Sequence, residues 1–272
     1  MLFEQIQSKF KENAHRNFVQ DVQYWTCKKH PLHLVKCSFD ITRYRPELFL
    51  QLGIDFPREI QSAVKKRQAE FLAGRFAVQM AIQASGIFPG GRTPQLPIGQ
   101  YRAPMWPNNI VGSITHSTSK AMCVIGRSSD IESVGLDIED IFSEELAADV
   151  AAQAHTQRER DILTAQGLPA HIATAVIFSA KESLFKAVFP FVKDYFGFEE
   201  ARVCSFDLQE NNLVLELSPY FAQQHNLPTR YSAFVQIDAE EIATCIIYDD
   251  ASFIGEHRLP QRSGYQLGSR IG

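Results

Sequence analysis

The stretch Val134-Gly135-Leu136-Asp137-Ile138-Glu139-Asp140 places acidic side chains inside a run otherwise built for burial. A strand sends successive side chains to opposite faces, so Leu136 and Ile138 share one side and Asp137 and Glu139 the other. Side chains two apart on a strand start roughly 7 Å apart and can converge on one small ion. Such a pair is costly in an apolar setting unless a cation, a proton or water accounts for it. An isolated D-x-E is most simply an edge strand with its polar face in water. Choosing between a solvated edge and a site depends on what surrounds it.

The chain has 272 residues, enough for one large domain or two smaller packed units. A net charge of −4 gives no overall positive field to attract nucleic acid or an anionic membrane, so an anionic ligand must be met by a local cluster of cations. Five scattered cysteines without a C-x-x-C argue against a disulfide framework and for a reducing compartment. Cys27, His30, His33 and Cys37 lack paired-knuckle spacing and read as structural rather than as a zinc site. The first ten residues have no apolar core run, and no window nears eighteen uninterrupted apolar residues. The expectation is a cytoplasmic protein without a membrane span.

Outward from the acidic strand, the order of elements repeats. Upstream, residues 1–30 read as a partly amphipathic, aromatic lead-in. A strand is predicted over 33–39, a long helix opened by Pro57 over 57–85, a Pro/Gly-rich loop to 109, and strands over 110–116 and 121–126. Downstream come a polar, alanine-rich helix over 143–166, a second long helix opened by Pro169 and closed by Pro190, and four strands over 201–208, 213–217, 231–237 and 242–248. Strand, long helix, strands is thus followed by strand, long helix, strands. The expected fold is α+β, with two similar subdomains over 1–128 and 129–250 and a polar tail over 251–272. The acidic strand then stands at the junction of the units, where ligand sites tend to lie.

Three clusters complete the pattern: Ser113-Ile114-Thr115-His116-Ser117, the acidic strand, and Phe178-Ser179-Ala180-Lys181-Glu182-Ser183-Leu184-Phe185-Lys186. Each alone is ordinary, since Lys/Glu pairs four apart on a helix are worth a few tenths of a kcal/mol. Together they offer three carboxylates, two lysines and a histidine, a set suited to magnesium and phosphates.

This ordered set resembles the 4′-phosphopantetheinyl transferases, in particular the large pseudo-dimeric type of siderophore synthesis. The resemblance runs through Arg67–Arg75 (Arg-x-Ala-Glu-Phe-Leu-Ala-Gly-Arg), Arg102-Ala-Pro-Met-Trp-Pro, Gly112-Ser-Ile-Thr-His, Val-Gly-Leu-Asp-Ile-Glu and Phe-Ser-x-Lys-Glu-Ser-x-x-Lys. Phe178 stands where the family often has Trp, and Leu136 where it has Ile or Val; neither removes a functional group. The family's fold is two similar α+β subdomains in one chain.

The resemblance implies transfer of the phosphopantetheine arm of coenzyme A to a serine of an apo acyl or peptidyl carrier protein, an activity of the holo-(acyl-carrier-protein) synthase type. Adenosine 3′,5′-bisphosphate would be released. It implies Mg²⁺ on Asp137, Glu139 and Glu182, with Glu182, directly or through a metal-held water, as base. Lys181 and Lys186 would neutralise pyrophosphate oxygens, Lys186 catalytically, and His116 with Thr115 would meet the 3′-phosphate or nearby ribose. Arg67, Arg75 and Arg102 are further phosphate contacts, Arg75 being equally readable as a structural helix residue. A monomer is expected by analogy. A metal-dependent phosphohydrolase and a non-catalytic coenzyme A or carrier-binding module are the competing classes, and carrier identity stays open.

Overall fold

Alternating apolar residues make strands and apolar stripes make helices, and the order of both is that of two related units. The computed structural model describes residues 2–6, 18–88 and 93–249. The first unit contains β1 (Phe3–Ile6), β2 (Val19–Cys27) and β3 (His33–Phe39), then α1 (Glu47–Gln51), α2 (Arg58–Gln61) and α3 (Lys65–Ser85), then β4 (Ile110–His116) and β5 (Lys120–Arg127). The second contains β6 (Ser133–Asp140), α4 (Glu144–Ala154), α5 (Gln157–Thr164), α6 (Ala170–Val192), β7 (Ala201–Asp207), β8 (Asn212–Leu217), α7 (Pro219–His225), β9 (Arg230–Ile237) and β10 (Glu241–Tyr248).

Each unit has a five-stranded antiparallel sheet, in the orders β1-β2-β3-β5-β4 and β6-β10-β9-β8-β7. In both, the strand before the long helix pairs with the last strand of the meander that follows it, β3 with β5 and β6 with β10. The two-unit α+β architecture expected from the order of elements is therefore present, and the echo extends to strand pairing.

One face of each sheet is covered by its own helix. Val35, Cys37, Cys123 and Ile125 pack under α3 with Leu72 and Phe76, while Leu213, Leu215 and Ile246 pack under α6 with Val176 and Leu184. The opposite faces meet in a shared third core. Leu34, Met122 and Val124 come from the first sheet and Val134, Leu136, Ile138 and Cys245 from the second. Full burial of a Leu, Val or Ile is worth roughly 1.5–3 kcal/mol, so burial of these side chains along the seam holds the two units together. At one end of it the buried Glu241 carboxylate on β10 pairs with Lys36 and, at 2.6 Å, with Lys120, both from the first sheet.

Several local expectations need correction. The lead-in contains two strands, β1 and β2; its residues 7–17 lie outside those described, as does the tail from 250. The helix predicted over 57–85 is two helices, because Val64 is extended (ψ 152°) and starts α3 afresh. The helix over 143–166 is also two, parted at Thr156, whose hydroxyl and Glu159 form a capping box at the start of α5. Pro190 does not end α6 but lies inside its last turn, where a missing N–H removes a single bond. Lys193, with φ 55°, ends the helix and donates its N–H to Phe189 O at 2.8 Å. All five cysteines are free, and Cys37 is buried against Ala73 in the first core. Among the described residues no helix is long and apolar enough to cross a membrane.

The position of β6 depends on Gly135. A Cβ there would collide with the carbonyl oxygen of Ser183 and come within 2.7 Å of the backbone nitrogen of Ala187, both on α6. Backbone cannot give way as a flexible side chain does. Gly135→Ala should therefore lower unfolding free energy by about 3 kcal/mol or more, as overpacked cores do at their upper end; urea denaturation measures it, and a cost under about 1 kcal/mol would show that β6 and α6 can separate freely.

Candidate active site

Because β6 lies against α6, the odd-numbered side chains that alternation puts on one face point at the helix. Lys186 Nζ donates to Leu136 O at 3.1 Å and to Asp137 Oδ1 at 2.6 Å. The same Oδ1 accepts from Thr115 Oγ1 at 3.0 Å. Thr115 belongs to β4, the edge strand of the first sheet, and also accepts the N–H of Ile138 at 3.2 Å. Two residues back, Ser113 Oγ accepts the N–H of Leu136 at 3.0 Å. Alternating hydroxyls on one sheet edge thus stand in for the missing ladder partner of the other, and they fix Asp137 at the seam of both units.

Asp137 is 3% exposed, and its other oxygen, Oδ2, is buried with no hydrogen-bond partner. Glu139 and Glu182 complete an acidic group. Burial, then the charges of Asp137 and Glu182, push the Glu139 carboxyl up to about 8. Burial, followed by Asp137, likewise raises Glu182, with Lys186 opposing. Three neighbouring carboxylates, one of them with a buried, unpartnered oxygen, are a donor set suited to a small oxygen-seeking divalent cation. Among the described residues no three such side chains are closed around a single point. Asp140 stands apart at the strand end, where it accepts the N–H of Thr118 at 3.2 Å.

A basic group lies beside the acidic one. Arg67 Nη1 donates to His116 Nε2 at 2.9 Å, which leaves the ring proton of neutral His116 on Nδ1. Glu70 sits below both at 3.8 Å, and 4.0 Å from Lys66 Nζ. Burial and then the charges of Arg67 and Lys186 hold His116 down to about 4, so it is neutral at pH 7. Asp137 and Lys186 both act on His116 electrostatically, so acidic and basic groups form one neighbourhood.

Most of the other residues singled out from sequence have partners of their own. Thr115 spends its hydroxyl on Asp137 and Ile138, not on open space. Arg75 is turned into the first unit over the ring of Phe71, 4.5 Å from its centroid, and burial lowers its guanidinium to about 10. Arg102 is exposed on a loop tip with φ 61°, next to Tyr101 at φ 56°, and Tyr101 stacks edge-on against Phe189 and Tyr195 of the second unit. Lys181 is buried, 2.8 Å from Glu159 Oε1, and donates to Ala154 O and Phe198 O. It ties α4, α5 and the turn before β7 to α6. Sequence reasoning missed Glu159 and gave no role to Glu70 or Ser113, although both stand within the quoted motifs and Ser113 is two residues from Thr115.

Next to Glu182 a cavity of about 200 Å³ is lined by Phe185, Tyr195, Phe196, Gly197 and Phe198 together with Lys181 and Ala201. It can take a slender, largely apolar group alongside the acidic centre.

Residues 56–126 match the sequence profile of the 4′-phosphopantetheinyl transferase N-terminal domain, and residues 133–245 that of the 4′-phosphopantetheinyl transferase superfamily. Similar proteins include enterobactin synthase component D of Salmonella typhi, 38% identical over 195 residues that cover 71% of this chain and 76% of that protein. The Escherichia coli O157:H7 enterobactin synthase component D is 33% identical over 66% of this chain and 81% of its own. A 4′-phosphopantetheinyl transferase of Mycobacterium tuberculosis is 31% identical over 53% of this chain and 61% of its own.

Two outcomes follow from this geometry. Lys181→Met should lower unfolding free energy by about 3–5 kcal/mol, because Glu159 would be left buried and unpaired; the double variant Lys181→Met, Glu159→Gln should recover much of the loss in urea denaturation, and additive losses would contradict the pairing. His116, its pKa lowered on folding, should show no imidazole titration by NMR between pH 5.5 and 8 in the ligand-free protein. Since the unfolded chain takes up that proton first, stability from this residue should fall as pH drops from 6.5 towards 4. A midpoint near 6.5 in the folded protein would contradict its neutral state.

Proposed function

Because the chain belongs to the 4′-phosphopantetheinyl transferase superfamily, we propose that its transfer of the 4′-phosphopantetheine arm from coenzyme A to a carrier protein uses Asp137, Glu139 and Glu182 on Mg²⁺ and Lys186, Arg67 and His116 on phosphates. The observation that carries this reading is the buried, unpartnered Oδ2 of Asp137, a carboxylate whose charge is felt by both Glu139 and Glu182 while Lys186 occupies Oδ1. Mg²⁺, when bound, supplies positive charge to the pyrophosphate and so eases departure of the leaving group.

The chain's own residues do the rest by position and charge. Lys186 has three N–H donors, of which Leu136 O and Asp137 Oδ1 take two, leaving one for a pyrophosphate oxygen. Arg67 and the Nδ1–H of His116 meet a phosphate on the adenosine half. The apolar cavity beside Glu182 accommodates the pantetheine arm. Glu182 takes the proton of the carrier serine as its oxygen attacks phosphorus; one P–O bond forms, and the bond to adenosine 3′,5′-bisphosphate breaks. Lys181 and Thr115 support this arrangement from behind, Lys181 by fixing α6 and Thr115 by fixing Asp137. Arg75 fills a structural place, and Arg102 is exposed beside Tyr101, whose ring meets Tyr195 of the cavity lining.

Similarity to enterobactin synthase components favours a carrier of siderophore synthesis as first partner, with fatty acid and polyketide carriers as wider possibilities for a holo-(acyl-carrier-protein) synthase type of activity. A monomer working in the cytoplasm fits a chain that holds both halves of its site.

Mass spectrometry of a panel of apo carriers incubated with the protein, coenzyme A and Mg²⁺ should show one added 4′-phosphopantetheine on a serine. No addition to any carrier, or coenzyme A breakdown without a carrier, would refute the reading. Glu182→Gln should fold normally and lose on the order of 10²–10⁴-fold in kcat, the usual contribution of a positioned base; turnover within a few-fold of the parent would remove Glu182 from the chemistry.

A further inference from the structure

Glu70 has no part in the reaction as described, yet it is buried at 8% exposure in a helix whose neighbouring Lys65 and Lys66 are exposed. Its spacing from Lys66 (i, i+4) and Arg67 (i, i+3) is that of common helix decoration, worth a few tenths of a kcal/mol on an open surface. A buried carboxylate is a different matter, because desolvation makes it costly unless it is matched by charge or hydrogen bonds. Burial does raise its pKa, opposed by the charges of Lys66 and Arg67.

The geometry of its partners gives the burial a use. Glu70 Oε2 lies 3.8 Å from both Arg67 Nη1 and His116 Nε2, and those two atoms are 2.9 Å from each other. One carboxylate oxygen therefore sits behind a guanidinium–imidazole contact that joins α3 to the end of β4. At 3.8 Å it attracts the cation without consuming a donor at hydrogen-bond range. Arg67 carries five N–H donors in a rigid fork, and the carboxylate and the imidazole hold that fork from one side. The imidazole, receiving from Arg67, keeps its proton on Nδ1. Two donors of fixed direction on separate elements are what a phosphate monoester needs for selective capture.

We propose that Glu70 is a positioning residue that gathers Arg67 and His116 into one phosphate-receiving pair and thereby sets the preference for coenzyme A over 3′-dephospho-coenzyme A. The inference rests on the reading of Arg67 and His116 as phosphate contacts. Glu70 itself touches no substrate and no reacting atom; it acts on ground-state binding of one phosphate.

Steady-state kinetics of the full chain with each of the two co-substrates and one carrier tests it. Glu70→Gln should raise KM for coenzyme A about 5- to 20-fold through lost preorganisation, with kcat and the KM for 3′-dephospho-coenzyme A within about twofold. Glu70→Asp, which keeps the charge at shorter reach, should fall between the parent and Glu70→Gln, and it carries the test if the amide variant does not fold. An unchanged KM for coenzyme A, or equal increases for both co-substrates, would overturn the proposal, the second outcome marking a merely structural role. Arg67→Ala separates the two levels of the claim. If it too leaves the preference intact, the phosphate reading itself fails and the proposal with it; if it abolishes the preference while Glu70→Gln does not, the role of Glu70 alone fails.

Discussion

The site depends on one clamped carboxylate. Asp137 Oδ1 is held from two directions, by Thr115 of the first unit at 3.0 Å and by Lys186 of the second at 2.6 Å. Neither unit alone supplies both. The clamp exists because two sheet edges meet without a continuous ladder, and the hydroxyls of Ser113 and Thr115 satisfy the backbone donors of Leu136 and Ile138. A buried N–H left unpaired costs roughly 1–3 kcal/mol, so stability of the seam and orientation of Asp137 come from the same bonds. With Oδ1 occupied, Oδ2 is the atom turned to other work.

Charge is then distributed by depth. Lys181 and Glu159 form a buried pair that fixes three segments around α6, whereas Glu182, the next residue, is only half-buried at the cavity that both residues line. Adjacent residues on a helix point about 100° apart, so one of the pair can stiffen the scaffold while the other serves the cleft. The carboxylates themselves are left under-compensated: Lys186 faces Asp137, and Glu139 is raised by its neighbours to about 8. In the proposed reaction a divalent cation would offset that crowding of carboxylates.

Much of this was legible in the residues. Alternation across 134–140 put Asp137 and Glu139 together, and β6 indeed turns both towards α6. The repeated order of strand, helix and strands gave the two-unit architecture and located the acidic strand at the junction. What could not be read were facts of tertiary partnership. Lys181 and Lys186 look alike in sequence, and only a glutamate 22 residues away draws Lys181 into a buried ion pair. Thr115 resembled a ligand contact because its hydroxyl's acceptor lies on another sheet. β2 was hidden because only Val19 and Tyr24 of its nine residues are buried, so it carries no period-two signal. Pro190 suggested a helix end, but packing of Ala187 and Val188 carries the helix through its last turn.

Calorimetric titration of Mg²⁺ into the protein, with and without coenzyme A, tests most directly that Asp137, Glu139 and Glu182 form an ion site completed by substrate phosphate. Carboxylates not yet closed on one point should bind Mg²⁺ weakly alone and at least about tenfold more tightly with coenzyme A present, a coupling that linkage makes reciprocal. Asp137→Asn, which keeps an oxygen but not the charge, should abolish that enhancement. Equal Mg²⁺ affinity with and without coenzyme A, or an enhancement that survives Asp137→Asn, would contradict the account.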